Sequence, residues 1–532
     1  MNESPSQTTT RSTQEITILL TAALLLSIFV AIRFGGLWGE NDTAVFARSI
    51  RAVLDDASLV PPRFAYSNGY GYPALVAFLA QITGLTVTQL QLFGGPLLAF
   101  WVILPAWLAY RELIGSPRGA TLATVIILVQ PEFLFPILRG SHEKFTRGLM
   151  LLALYLLVRS ILARQQWRRF ASFLLAFYLI IYALISFNNL LAISFITAIG
   201  LSLLLSLAIR QVAKSRQIGG IEDVETAATR RRLLYTIGTS LILAFFFTFY
   251  AYEPARTSIF LIESTTDRMA MLFLEAGEVA TNPYGTIAAA WVSLPVYLII
   301  TIANWLLLVL SFVLWVSQSV YWWLNRRWPN EPRAVLLWSL YGAFGFLGAL
   351  SILADVSGAI AANLQHRMFP SFAMIAAPFM ADWYVRQRMP TTRTRRIAYV
   401  GLAVVIAYLG VVAVVKATNE PMVSNKWTYY TPAEFTGLEW SQQYNPGEDL
   451  WSSYDERLES AVGICCGDMP IAQYLDNFGL DPGTRTVLIS DDTRVQGERL
   501  NAPLPIEGDS LRIYDNGAAE IYRLRPRTPF QR

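Results

Sequence analysis

Runs of apolar residues long enough to cross a lipid bilayer recur through the first 420 residues of this 532-residue chain, and no other feature limits its fold so strongly. A crossing of about 30 Å of hydrocarbon takes about 20 residues at 1.5 Å per residue. It must be helical, because no water is present there to satisfy an unpaired backbone. Candidate spans fall at 16–35, 92–110, 119–137, 147–163, 170–187, 189–209, 233–251, 300–324, 334–354, 368–385 and 397–416. Only 15% of the residues are charged, against about 25% in an average soluble chain. The expectation is a polytopic α-helical membrane protein of about 11 transmembrane helices. The run 16–34 is too long for a signal-peptide h-region and no A-x-A-like site follows it, so it is expected to remain as the first span. The polar residues 1–15 before it are expected to be disordered and cytoplasmic.

Lysine and arginine in short loops mark the cytoplasmic side. Basic loops lie at 111–118, 164–169, 210–232, 326–333 and 386–396. With all five inside, residues 16–417 begin in the cytoplasm, cross eleven times by the spans above, and finish outside. The apolar segment 72–85 has only about fourteen residues, fewer than a span needs. It reads as a helix in the outer interface, and counting it as a span would invert every later basic loop. The stretch 285–324 reads as an interfacial helix plus one span, with Tyr321, Trp322 and Trp323 as an aromatic belt beside Arg326. The outer segments are then 36–91, 139–147, 252–290 and 355–367, followed by a tail at 418–532.

That tail changes in composition. It holds 18 acidic against 10 basic residues, about −8, in a chain whose total is +4. A buried strand at 487–490, a hairpin of 511–514 with 519–523, and a helix over 432–443 predict a small extracytoplasmic α/β domain. Asp515-Asn516-Gly517 carries the signal of a type I′ hairpin turn. The adjacent Cys465 and Cys466 are the chain's two cysteines, which excludes a disulfide framework and reads as structural. Nucleic-acid binding is not expected, because topology already accounts for the basic clusters.

Chemistry is expected at the outer face. Trp38-Gly39-Glu40-Asn41-Asp42-Thr43 sets two carboxylates directly after the first span. Glu40 or Asp42 could act as a base toward an acceptor hydroxyl or help hold Mg²⁺ or Mn²⁺, or both could be ordinary solvated loop acids. Arg139-Gly140-Ser141-His142-Glu143-Lys144 concentrates charge in the second outer loop, either as a site or as a snorkelling interfacial cluster. Gln365-His366-Arg367 stands at the mouth of a span, where the arginine could take a phosphate bidentately. Glu263, Asp267 and Arg268 lie on an amphipathic stretch of the third loop.

Taken in order, these residues resemble the GT-C superfamily of membrane glycosyltransferases. The carriers are the acidic pair, Gly69-Tyr70-Gly71-Tyr72-Pro73 with its interfacial helix, a span with Pro131, the outer Arg-Gly-Ser-His-Glu, and the late His366-Arg367-Met368-Phe369-Pro370. The layout is most similar to the catalytic subunit of oligosaccharyltransferase, and more loosely to protein mannosyltransferases. The resemblance implies transfer of a sugar from a polyprenyl-phosphate donor to an extracytoplasmic glycan, lipid or protein. It makes Asp42, with Glu40, the catalytic acid pair. It makes Asp42, His142 and Glu143 a metal set for Mg²⁺ or Mn²⁺, and Arg367 a ligand of the donor phosphate. His366, Arg139, Glu263 and Arg268 are the further substrate-contacting candidates. Two departures stand out. His142 sits where an aspartate is usual, and Trp451-Ser452-Ser453-Tyr454-Asp455 lacks the Trp-Trp-Asp-Tyr-Gly pattern that reads a glycosylation sequon. The competing readings are an oligosaccharyltransferase-like enzyme without that motif, a transporter or lipid flippase, and a non-catalytic surface scaffold. A carrier should show mid-span charges and internal repeats. A scaffold should leave Asp42, Glu143 and Arg367 more than about 20 Å apart.

Overall fold

A computed structural model describes residues 5–34, 41–62, 65–163, 166–215, 227–274, 294–325, 332–357, 364–386, 392–418, 430–446, 450–451, 458, 461–462, 486–494, 506 and 510–524, with Asn41 and Asp42 among those described by backbone alone. Among the described residues, nine helices are long and apolar enough to cross a membrane, and ten if one bent pair counts as a span. The nine are Thr13–Phe34, Val87–Ile114, Glu143–Leu162, Trp167–Phe187, Asn189–Ile209, Arg232–Ala251, Ile302–Asn325, Arg333–Val356 and Val400–Ala417. The helix Leu364–Arg386 is not one of them, since Arg367, Asp382 and Arg386 dilute its apolar run. At 23 residues it would still reach ~34 Å. Its run from Phe372 to Ala377 is enclosed by protein, so it does not need a lipid-compatible surface.

Three local expectations give way to specific physics. The first helix begins at Pro5, not after residue 15. Proline suits a first helical turn, and extending an existing helix is far easier than starting one. The expected span 119–137 is two helices, Pro117–Leu128 and Pro131–Leu138, bent by 78°. Gln130 is extended (φ −85°, ψ 112°) because the Pro131 ring disfavours helical geometry in the residue before it. In the tail, the connection after Leu511–Asp515 is not type I′. Gly517 (φ 88°) takes the left-handed conformation there while Asn516 does not, and the Asn516 Oδ1 accepts from the N–H groups of Ala518 and Ala519.

The tail residues form a four-stranded sheet in the order Leu450–Trp451, Thr486–Ser490, Ala519–Arg523, Leu511–Asp515. The first pair is parallel and the other two are antiparallel. Thr486–Ser490 is wholly buried, and the helix Pro432–Tyr444 opens with a Thr431/Glu434 capping box. Cys465, Cys466 and 452–455 lie outside the described residues.

Side-chain contacts sort the helix termini into two ends. At one end, Glu15 meets Thr121, Glu112 meets Arg159, Arg333 lies against Gly115, and Arg232 covers Trp167 and Phe170. At the other, Gly69 and Asn68 dock on Ser186 and Asn189, the Tyr252 hydroxyl donates to the Tyr66 carbonyl, and Asp355 meets Leu364. A small separate core of Phe46, Ile50, Val53, Tyr72, Val76 and Val87 joins the helices Asn41–Asp56 and Gly71–Thr83 at this second end. The latter helix is 13 residues long and is stopped by Gly84 in a left-handed cap.

Candidate functional site

The second end is organised around Gly140. Its carbonyl accepts from the Tyr72 hydroxyl at 2.8 Å and from the Gln91 amide at 3.0 Å, and the same amide donates to the Thr43 carbonyl at 3.2 Å. A Cβ at position 140 would lie 2.9 Å from Thr43 Cγ2 and 3.1 Å from the Gln91 carbonyl oxygen. Only glycine admits so close an approach. Thr43 directly follows Asp42, so the first turn of Asn41–Asp56 is docked on the 139–142 segment. Burial pushes the Tyr72 phenol well above the usual tyrosine range, which keeps it a donor to Gly140.

The next residues are tied inward. Lys144 is fully buried, and its ammonium donates to the carbonyls of Arg139 (2.6 Å) and Ser141 (3.1 Å), curling the segment over its own helix terminus. His142 packs among Phe46, Tyr66 and Tyr72 at ring distances of 4.8, 5.6 and 6.5 Å. Its Nε2 lies 2.7 Å from the Asn188 amide nitrogen, which can only donate, while the Asn188 Oδ1 caps Leu191.

Glu143 and Arg147, one helical turn apart, form an ion pair at 3.2 Å in which the arginine side chain is 1% exposed. The Arg147 guanidinium also donates to the Ser371 hydroxyl at 2.6 Å and to the Arg367 carbonyl at 3.1 Å. Two helices more than 200 residues apart in sequence are thereby joined through one buried cation. The charges of Arg139 and Arg367 also act on Glu143. Beside this cluster, the His366 Nδ1 is 4.0 Å from the Glu132 carboxylate, which stands in the first turn of the bent helix.

The residues anticipated from sequence are distributed unevenly. Glu143, His142, Arg139, His366 and Arg367 gather at this end; Arg139 stacks on Phe135 at 5.0 Å, and the Arg367 side chain is exposed. Glu263 and Arg268 instead lie on the exposed surface of Thr257–Leu274. Glu40 lies outside the described residues, and Asp42 is placed by its backbone. Arg147, Glu132, Gln91 and Asp355 were not anticipated. The i, i+4 spacing of Glu143 and Arg147 was the one sequence signal that could have exposed the pair.

Of the anticipated metal set, His142 has its Nε2 against the Asn188 amide and Glu143 is paired with Arg147, while Asp42 is placed by its backbone alone. Among the described residues, no group of three His, Cys, Asp or Glu side chains gathers to hold a metal ion.

A polytopic helical bundle, connecting segments docked at one end, and a terminal sheet make a GT-C-like fold. The comparison with solved structures agrees. The apo crystal structure of the Archaeoglobus fulgidus oligosaccharyltransferase is similar at a TM-score of 0.53 and 14% identity, over 89% of this chain and 69% of that one. The archaeal oligosaccharyltransferase AglB of the same organism, in complex with an inhibitory peptide and a dolichol-phosphate, gives 0.53 and 14% over 97% and 75%. The Archaeoglobus enzyme tethered to an acceptor peptide with the NVT sequon gives 0.52 and 12% over 91% and 71%. At these identities the likeness is one of fold. No protein-family model matches the sequence, and no curated protein sequence matches it.

Proposed function

We propose that this protein is a membrane glycosyltransferase that moves a sugar from a polyprenyl-phosphate donor to an extracytoplasmic acceptor, a glycan, a lipid or a protein. The chain spans the bilayer many times, with its N-terminus in the cytoplasm and its sheet-bearing tail outside. One observation carries the reading: the segment after the first span, the 139–147 segment and the start of Leu364–Arg386 converge at one end of the bundle. The contacts are Thr43 to Gly140, and Arg147 to Arg367 and Ser371. Buried charge in a bilayer protein marks functional sites, because it is otherwise costly to keep.

In this reading Asp42, aided by Glu40, accepts the proton of the acceptor hydroxyl as its oxygen attacks the anomeric carbon of the donor. The bond from that carbon to the donor phosphate breaks, and polyprenyl phosphate leaves with the electron pair. Attack opposite the leaving group inverts the anomeric centre. Arg367, exposed beside the cluster, meets the charge that grows on the leaving phosphate. His366 and Arg139 stand at the same end of the bundle, and Glu263 and Arg268, on the exposed surface of Thr257–Leu274, are the further substrate-contacting candidates. The dolichol-phosphate bound to the archaeal neighbour is a lipid phosphate of the kind that such a donor would release.

The test is radiolabelled sugar transfer by the full chain in proteoliposomes, using polyprenyl-phosphate sugars and, as separate acceptors, a cell-surface glycan, a lipid and a sequon peptide. Asp42→Asn should lower transfer by roughly 10²-fold or more while the protein inserts normally. Undiminished transfer by the inserted variant removes Asp42 from the chemistry.

A further inference from the structure

Two buried charged side chains, supplied by two other helices, grip the opening turns of Leu364–Arg386. Asp355, at the end of Pro332–Val356, accepts from the backbone N–H groups of Leu364 (3.0 Å) and Gln365 (2.9 Å), one on each carboxylate oxygen. Arg147, near the start of Glu143–Leu162, donates to the Arg367 carbonyl (3.1 Å) and the Ser371 hydroxyl (2.6 Å). Both side chains are buried, at 1% exposure each. Arg367 stands between the two grips with its side chain exposed.

A helix start normally offers an anion its free N–H groups and the positive end of the helix dipole. Here Asp355 already holds the first two N–H groups, and its own charge opposes a second anion. Two of the four N–H groups of this helix start are thereby taken, and the Asp355 charge disfavours an anion on the other two, so a phosphate here calls for a cationic side chain. Arg147 is not available, since its guanidinium faces Glu143, Ser371 and a carbonyl and has no exposed edge. Arg367, on the gripped turn itself, presents its guanidinium outward, and its own carbonyl is the atom Arg147 holds.

The geometry points to Arg147 and Asp355 as positioning residues that fix Arg367 for the phosphate of a polyprenyl-phosphate headgroup. Neither touches the phosphate; each acts by setting where the Arg367 backbone starts. This rests on the donor role of Arg367 given above.

Undecaprenyl phosphate is titrated into the purified full chain in nanodiscs, with undecaprenol as the phosphate-free arm, and tryptophan fluorescence gives Kd. Wild type should prefer the phosphate, and Arg367→Ala should weaken it by about tenfold or more. Arg147→Lys keeps a positive charge against Glu143 but cannot hold both acceptors on the other helix. It and Asp355→Asn should each weaken binding by about tenfold, and neither should add to the loss in an Arg367→Ala background. Ser371→Ala, which removes one hydroxyl and should fold, is expected to cost about two- to threefold and likewise not to add. Equal binding of undecaprenol and its phosphate, or wild-type binding by Arg367→Ala, overturns the donor role of Arg367 and the positioning with it. If Arg367→Ala alone weakens binding, or if the losses of the partner variants add to it, the donor role stands and the positioning is wrong. Should Arg147→Lys fail to fold, Ser371→Ala decides the matter by the same two criteria.

Discussion

The two ends of the helical bundle handle charge in opposite ways. At the Gly115 end, arginines lie along the surface: Arg159 pairs with Glu112 while its side chain is 39% exposed, and Arg232 rests on the rings of Trp167 and Phe170. At the Gly140 end, three ionic groups are turned inward and each has several partners. Lys144 caps two carbonyls, Arg147 serves a carboxylate, a hydroxyl and a carbonyl, and Asp355 takes two backbone N–H groups. Removing a charge from water costs several kcal/mol per ion before any partner is counted. A fold that needed only an orienting basic face could keep its charges wet, as the Gly115 end does. Their burial at the other end points to geometry that must be held fixed, and it coincides with the convergence of the 41–56, 139–147 and 364–371 segments.

That contrast is most exposed to failure at Arg147. Arg147→Met should strand Glu143 as a buried, unpaired carboxylate and cost about 3–5 kcal/mol, read as a fall in the melting temperature of the detergent-solubilised protein. The double variant Glu143→Gln/Arg147→Met should recover most of that loss, because it removes the stranded charge together with its partner. A single variant that melts like wild type would mean that the buried network is not a structural tie.

Next in size comes the docking of the first loop. Gly69 has φ +153°, and a Cβ there would lie 2.2 Å from the Ser186 carbonyl oxygen. Backbone cannot swing aside as a side chain can, so Gly69→Ala should cost about 1–3 kcal/mol and loosen the 66–72 segment. Limited proteolysis of the intact protein reads this as faster cleavage within 57–70. Gly84→Ala, at φ +70° with open space around it, should cost less and leave cleavage within 57–70 unchanged. Equal effects at the two glycines would show that strain, not docking, decides both.

The large features were legible because they are written in composition. Apolar runs of bilayer length appear as helices wherever they are long enough. The strand Thr486–Ser490 and the helix Pro432–Tyr444 follow from a β-branched run and a capping box. What escaped was partnership across distance. Apart from Glu143 one helical turn before it, nothing near Arg147 in the sequence distinguishes it from a loop arginine; its role depends on Ser371 and Arg367, more than 200 residues later. His142 has the chemistry of a ligand, and its packing among Phe46, Tyr66 and Tyr72 and its contact with Asn188 could not be read from its neighbours in the chain. Asp355 looked like a loop acid; it is 9 residues before Leu364, too far in sequence to read as an N-cap. The break at Gln130 was legible, since the residue before a proline resists the helix, but bilayer-length periodicity outweighed it.

The smallest effect belongs to the opposite end. Glu112→Gln removes the carboxylate that faces Arg159 at 3.3 Å, but the arginine is partly in solvent and also packs over Phe173 at 5.3 Å. Exposed pairs contribute about 0–1 kcal/mol, so the melting temperature should barely move. Salt makes the comparison sharper than magnitude alone. At about 0.5 M salt the Debye length falls to roughly 4 Å, so whatever Glu112 contributes should vanish. The deficit of Arg147→Met should persist, because its partners are shielded from ions by the surrounding helices. A Glu112→Gln deficit that survives high salt would place a buried network at both ends and remove the reason for locating the site at one.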